Sequence, residues 1–198
     1  MDPEKREHDE DVRLIGAAQA GDADAFRRLI ERHQDPIFDL CLRMLGSSQD
    51  AEDVAQETFL AFFRHIREYK SDHKVSNWLY TIALNRCRRQ LRKRKVMRLL
   101  SLDFGSSDDT EGQVVEVASD ERLPEAGLEE AESERWQEKV LASLPATLRE
   151  PFLLRHVKKM HYEEIAATLR ISLANVKIRL HRAKLFLLKK FGPEAGRL

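Results

Sequence analysis

Asn175, Lys177, Arg179 and Arg182 stand close together near the C-terminus, and each carries a group suited to nucleic acid. Arginine and asparagine can pair with base edges through two hydrogen bonds, and lysine neutralises phosphate. The same segment holds Val176, Leu180, Ala183 and Leu187 at three- and four-residue steps, a single apolar stripe along a helix. The polar group and Ile178 fall on another side. Upstream, Ile165, Ala166 and Leu169 form the inward face of a shorter helix, Ile171 plugs a turn, and Ser172 is a suitable N-cap. The pair predicts a helix-turn-helix whose second helix, Leu173 to about Arg182, is shaped to enter a major groove. Two positions depart from the best choice. His161 caps where Ser or Thr would serve better, and Arg170 stands where a helix end favours left-handed Gly. Periodicity alone leaves DNA reading and an ordinary solvated basic face equally open.

Charge distribution favours the first. Net charge is zero, with 34 basic and 34 acidic residues, yet the two signs are segregated. Residues 86 to 98 hold Arg86, Arg88, Arg89, Arg92, Lys93, Arg94, Lys95 and Arg98 and no acid. Residues 103 to 138 are acidic, interrupted only by Arg122 and Arg135, and residues 152 to 192 are basic again. Two cationic blocks suggest two footprints on one nucleic acid, because each would displace counterions from phosphates. The acidic stretch between them should be repelled from a duplex, or occupy a basic groove on a protein partner. Cys41 and Cys87 have apolar surroundings and no CxxC or metal-ligand spacing, which predicts reduced core thiols and a cytoplasmic protein. No apolar run is long enough to span a membrane, and no cofactor motif is present.

These residues need helices to position them. A helix is predicted from about Asp11 to Ala20, stopping at Gly21, and Asp22 caps a second that turns Ala25, Phe26, Leu29 and Ile30 inward. Pro36 suits the first turn of a third, which ends at Gly46. A fourth, opening near Ser48 to Asp50 and running to Tyr69, buries Val54, Phe59, Phe62, Phe63 and Ile66. It displays Asp50, Glu52, Asp53 and Glu57 early, where acids suit the helix dipole. Beyond a polar loop at 70–74, another helix turns Trp78, Leu79, Ile82, Ala83 and Cys87 inward and ends in the first cationic block. The pattern predicts an all-α protein. Its two small helical domains, 11–98 and 128–192, are joined by a flexible acidic linker at 99–127 and flanked by a disordered N-terminus at 1–10 and a tail at 193–198.

Three stretches, 50–69, 76–95 and 144–184, together resemble the extracytoplasmic-function branch of the bacterial sigma-70 family. The order and spacing of DAEDVAQETFLAFFRHIREY, SNWLYTIALNRCRRQLRKRK and LPATLREPFLLRHVKKMHYEEIAATLRISLANVKIRLHRAK carry the likeness. The resemblance implies a sigma factor that directs core RNA polymerase to promoters. Asp50, Glu52, Asp53, Gln56, Glu57 and Phe59 would then dock on the clamp helices of the largest polymerase subunit, and the C-terminal domain on the flap of the second subunit. Lys70 through Asn85 resembles the segment that reads the −10 element as a single strand. Lys74, Ser76, Asn77 and Asn85 would make polar contacts, with Arg88, Arg89 and Arg92 on phosphates; Trp78 and Tyr80 lie in the same segment, where their periodicity favours structural roles. Ser172, Asn175, Lys177, Ile178, Arg179 and Arg182 would face the −35 element, Ile178 touching a thymine methyl or packing on a neighbour. An anti-sigma protein is a further expected partner.

Two other classes share some of these features. A two-domain repressor or activator would use the same helix-turn-helix but bind duplex DNA tightly alone. A nucleic-acid enzyme would need an acidic metal site near the cationic helix, and the one dense acid cluster, Asp50, Glu52 and Asp53, reads instead as a docking face. No nucleophile constellation or phosphate-cradling glycine loop is present, and His156 and His161 have no partners to complete a metal site. The protein is therefore expected to be no enzyme.

Overall fold

The computed structural model describes residues 3–70, 74–103, 136–137 and 139–192. Every regular element among them is helical: α1 (Pro3–Gln19), α2 (Ala23–Leu45), α3 (Ser48–His65), a single 3-10 turn (Ile66–Glu68), α4 (Val75–Asp103), α5 (Ala146–His156), α6 (Tyr162–Leu169) and α7 (Leu173–Phe191). Helical residues at 136–137 and 139–143 precede α5. The described residues fall into two compact units, one drawn from 3–42 and 48–87, the other from 43–47 and 88–192. The expected linker lies largely outside the described residues, as does the tail.

The first unit is built around Leu29, Ile37, Leu40, Phe62, Leu79 and Leu84, all fully buried. Asp22 Oδ1 accepts from the backbone N–H groups of Asp24 and Ala25 at 2.9 and 3.1 Å, the cap expected for α2. Phe62 joins three helices through its ring, with Phe26 of α2 at 5.7 Å and Trp78 of α4 at 5.3 Å. Aromatic pairs at these separations add to the burial of their area. Gln19 donates to the Ile66 carbonyl at 2.8 Å and so ties the end of α1 to the 3-10 turn.

Three boundaries differ from the sequence expectation. The expected disordered residues 1–10 contribute most of the first half of α1, which starts at Pro3 rather than Asp11. Contacts from α2 anchor its middle: Arg28 and Arg32 pair with Glu10, Arg32 pairs with Asp11, and His33 Nε2 lies 3.0 Å from Asp11 Oδ2. Pro36 opens no new helix, because α2 runs unbroken through it. The missing N–H costs one ladder bond, and the buried stripe from Leu29 through Ile37 to Leu40, with Arg32 and His33 pinned to Asp11, outweighs that loss. The α4 helix continues to Asp103, five residues into the expected linker. Phe63, expected inward, is 60% exposed.

In the second unit, Met44, Leu141, Leu144, Leu153, Leu154 and Ile165 are the large fully buried side chains. The helix-turn-helix forms where expected. Val176, Ala183 and Leu187 are buried and Leu180 is half-buried, so the stripe faces α5 and α6. Ser172 accepts from the Asn175 N–H at 3.2 Å, and His161 donates its N–H to the Glu164 carboxylate at 2.8 Å. Arg170 adopts the left-handed conformation, φ 54° and ψ 49°. Its N–H bonds the Ala167 carbonyl and that of Ile171 bonds Ala166, a Schellman closure that usually employs glycine. Replacing Arg170 by Gly should therefore stabilise the protein by about 1 kcal/mol; a denaturant titration in which R170G shows no gain would contradict strain at this turn.

Candidate nucleic-acid and partner interfaces

Helix α3 divides its faces by period. Ala51, Val54, Ala55, Thr58 and Phe62 turn inward, with the Thr58 hydroxyl returned to the Val54 carbonyl at 2.7 Å. Glu52, Asp53, Gln56 and Glu57 are exposed, Asp50 is half-buried, and Phe59 is buried. The set is not a uniform acidic face. Glu52, Gln56 and Phe59 border an apolar groove of about 570 Å³ between α2 and α3, lined also by Ile30, Phe38, Leu60 and Phe63 and by Asp35. Leu60 and Phe63 are 56% and 60% exposed. Sequence reasoning assigned Phe63 to the core and so missed this groove. Asp53 and Glu57 lie outside it, and the Glu57 carboxylate is held by Arg86 of α4.

At the start of α4, Lys74, Ser76 and Tyr80 line a polar recess of about 480 Å³ together with His8, Asp11, Arg32, His33 and Pro36. Asp11 is 6% exposed; its oxygens accept from Arg32 Nε at 3.1 Å and meet His33 Nε2 at 3.0 Å. His8, Asp11, Arg32 and His33 had no place in the sequence-derived site. Their signal is tertiary, since they come from α1 and from the polar side of α2. Trp78 packs on Phe62 and on Tyr69, 5.3 and 5.5 Å between ring centres, as its period suggested. Tyr80 is buried. Asn77 is half-buried, while Asn85, Arg89 and Arg92 are exposed along α4, where Arg92 Nε donates to the Arg88 carbonyl at 3.3 Å. Arg88 is oriented otherwise: its Nε and Nη2 reach the two carboxylate oxygens of Glu150 at 2.6 and 2.7 Å.

On α7, Lys177 and Arg182 are exposed, as is Ile178 at 50%. That exposure separates Ile178 from the buried stripe. Arg179 Nε donates to Asn175 Oδ1 at 3.0 Å, so the two side chains best suited to paired base contacts hold each other in register. Ser172 spends its hydroxyl on the cap, which makes it a structural member of this surface. His156 stacks on Phe152 at 4.3 Å, and its pKa is lowered by burial first and then by Lys159, Arg155 and Lys184. No group of three or more potential metal ligands occurs among the described residues, and no described helix is long and apolar enough to cross a membrane.

Comparison with known proteins matches residues 29–96 to sigma-70 region 2 and residues 137–187 to sigma-70 region 4. The ECF RNA polymerase sigma factor SigW of Bacillus subtilis is 34% identical over 86% of this chain and 90% of its own. The chain belongs to the extracytoplasmic-function branch of the sigma-70 family. RNA polymerase sigma-H factor of Pseudomonas aeruginosa is 30% identical over 89% of the chain and 91% of its own length. Among solved structures, CnrH in complex with the cytosolic domain of CnrY shares the fold, with a TM-score of 0.64 at 24% identity, covering 90% of this chain and 94% of that one. So does the sigma factor RpoE of Bartonella quintana in complex with the anti-sigma factor NepR, with a TM-score of 0.60 at 21% identity, covering 83% and 94%. Most of the α2–α3 groove and of the recess at α4 thus falls within sigma region 2, and the turn with α6 and most of α7 within sigma region 4.

Burial, and secondarily Asp39, pushes the Tyr80 phenol from its usual 10.0 up to about 12. A raised folded value favours the neutral form, so its contribution to stability is intact below pH 10 and is lost as pH rises towards 12. Two units correspond to about 2–3 kcal/mol. Tyr80→Phe should show a smaller fall in stability over that window than the parent chain; equal slopes would contradict a buried, neutral phenol.

Proposed function

We propose that this sigma factor docks on core RNA polymerase through the α2–α3 surface, holds the melted −10 strand along α4, and reads the −35 element with α7. The single observation that carries this reading is the ordered pair of surfaces, an apolar groove with an acidic edge in region 2 and a solvent-facing helix of base-reading side chains in region 4. The groove suits a partner with an apolar ridge flanked by cations, as clamp helices offer. Exposed Leu60 and Phe63 would supply contact area, and Asp35, Glu52 and Asp53 the charge complementarity that speeds and orients encounter. The region 4 unit would sit against the polymerase flap.

At −10, the recess bounded by Lys74, Ser76 and Tyr80 is polar, with Lys74 and the Asp11-paired Arg32 in its lining, an environment suited to an extruded nucleotide, with Asn85, Arg89 and Arg92 tracking the strand. Opening needs no chemistry from the protein, since binding the single-stranded state more tightly than the duplex shifts that equilibrium. This leaves the chain as a binding factor without catalytic activity of its own, acting in the cytoplasm. At −35, Arg179 has its remaining guanidinium nitrogens directed by Asn175 and would pair with a guanine edge, and Ile178 would meet a thymine methyl. An anti-sigma protein covering the region 2 groove is a natural regulator, because the exposed apolar residues there need a cover when polymerase is absent.

Asp53→Arg combined with Phe63→Ser, both at exposed positions, should weaken binding to core polymerase by about tenfold or more while leaving the helical spectrum unchanged. Unchanged affinity in fluorescence anisotropy would rule this surface out as the dock. Arg179→Ala in the reconstituted holoenzyme should lower discrimination among −35 variants by about 1–3 kcal/mol if the arginine reads a base; an equal loss for all variants would make it a phosphate contact.

A further inference from the structure

We propose that Glu150 is an internal stand-in for DNA phosphate, latching α5 onto α4 and withholding Arg88 from the strand until the latch opens. The inference rests on the reading of α4 as the −10 strand surface.

Three arginines within the second unit make the latch. Arg88 presents two guanidinium nitrogens to both oxygens of Glu150 at 2.6 and 2.7 Å. Parallel paired bonds of this kind are also how arginine meets phosphate, so the Nε and Nη2 edge of Arg88 cannot serve both anions at once. Glu150 is 2% exposed, too enclosed for an ordinary surface ion pair. Its neighbour Arg149 turns the other way and donates to the Met44 carbonyl at 2.8 Å and to the Leu144 carbonyl at 2.9 Å, also reaching Ala142. Arg94 of α4 donates to the Leu45 carbonyl at 2.8 Å. Met44 and Leu45 end α2, where helical carbonyls lack partners and the dipole is negative. Two arginines from different segments therefore cap one helix end, and the Arg88–Glu150 pair closes beside them. Burial lowers the pKa of Arg149, in keeping with a guanidinium held by carbonyls and without a carboxylate.

The arrangement converts local contacts into a switch. A carboxylate carries one negative charge, whereas a DNA strand offers a row of phosphates and releases counterions when it binds. A lone strand must displace Glu150 before it gains the paired Arg88 contact, and that requirement scales apparent affinity by the fraction of open molecules. Any partner that draws α5 away from α4 removes the competition, so engagement of polymerase and exposure of Arg88 become coupled.

The test uses the full chain. Hydrogen exchange is followed in residues 88–94 and 146–156, and binding of fluorescent single-stranded DNA of randomised sequence is measured across salt concentrations. Glu150→Gln should speed exchange in both segments and tighten DNA binding by about tenfold, as for a competent state populated about one time in ten. The swap Arg88→Glu with Glu150→Arg should restore slow exchange while binding DNA less well than Arg88→Ala. It also decides the matter should Glu150→Gln alone disturb folding, since a swap that leaves exchange fast overturns the latch. Unchanged exchange and affinity in a folded Glu150→Gln protein overturn it as well. Faster exchange with no gain in affinity overturns the competition. If Arg88→Ala then also binds DNA like the parent, the assignment of Arg88 to the strand falls too.

Discussion

The division of each functional helix into a buried stripe and a working face is the constraint on which the rest depends. In α7, burial of Val176, Ala183 and Leu187 fixes the rotation of the helix, and that rotation alone decides that Lys177, Ile178 and Arg182 face outward. In α3, burial of Val54 and Phe62 does the same for Asp53 and Gln56. The α3 and α7 side chains that would contact polymerase and the −35 element thus stand on helices.

Electrostatics then assigns the surfaces. A neutral chain with cations gathered in 86–98 and in 152–192 can attract DNA at two places while staying neutral overall. The same charges also organise the fold, as Arg32 with Asp11, Arg86 with Glu57 and Arg88 with Glu150 show. Cations proposed to meet DNA and cations that brace the protein are thus drawn from one pool.

Much of this was legible in the sequence where the signal is local. The helix-turn-helix could be read from three- and four-residue spacing, and its awkward Arg170 from the left-handed position at a helix end; both stand as read, as does the all-α architecture. What escaped was tertiary. Pro36 marks a helix start by local rules, yet packing on either side carries α2 through it. Phe63 is apolar and falls near the buried period, but Phe59 and Phe62 already occupy the inward positions, which leaves Phe63 on the rim of a groove. The N-terminal helix and the recess lined by Asp11 and His33 depend on pairings between α1 and α2, about twenty residues apart, which no periodicity reports. Arg88 looked like its neighbours Arg89 and Arg92 until Glu150 was seen opposite it.

The most direct test of the central claim is transcription by purified core RNA polymerase from a library of promoter fragments, with and without this chain. The account predicts initiation at defined start sites only when the chain is added, from fragments sharing paired −35 and −10 sequences, with little sequence-specific duplex binding by the chain alone. Tight, sequence-specific duplex binding by the isolated chain, together with no stimulation of the polymerase, would contradict it.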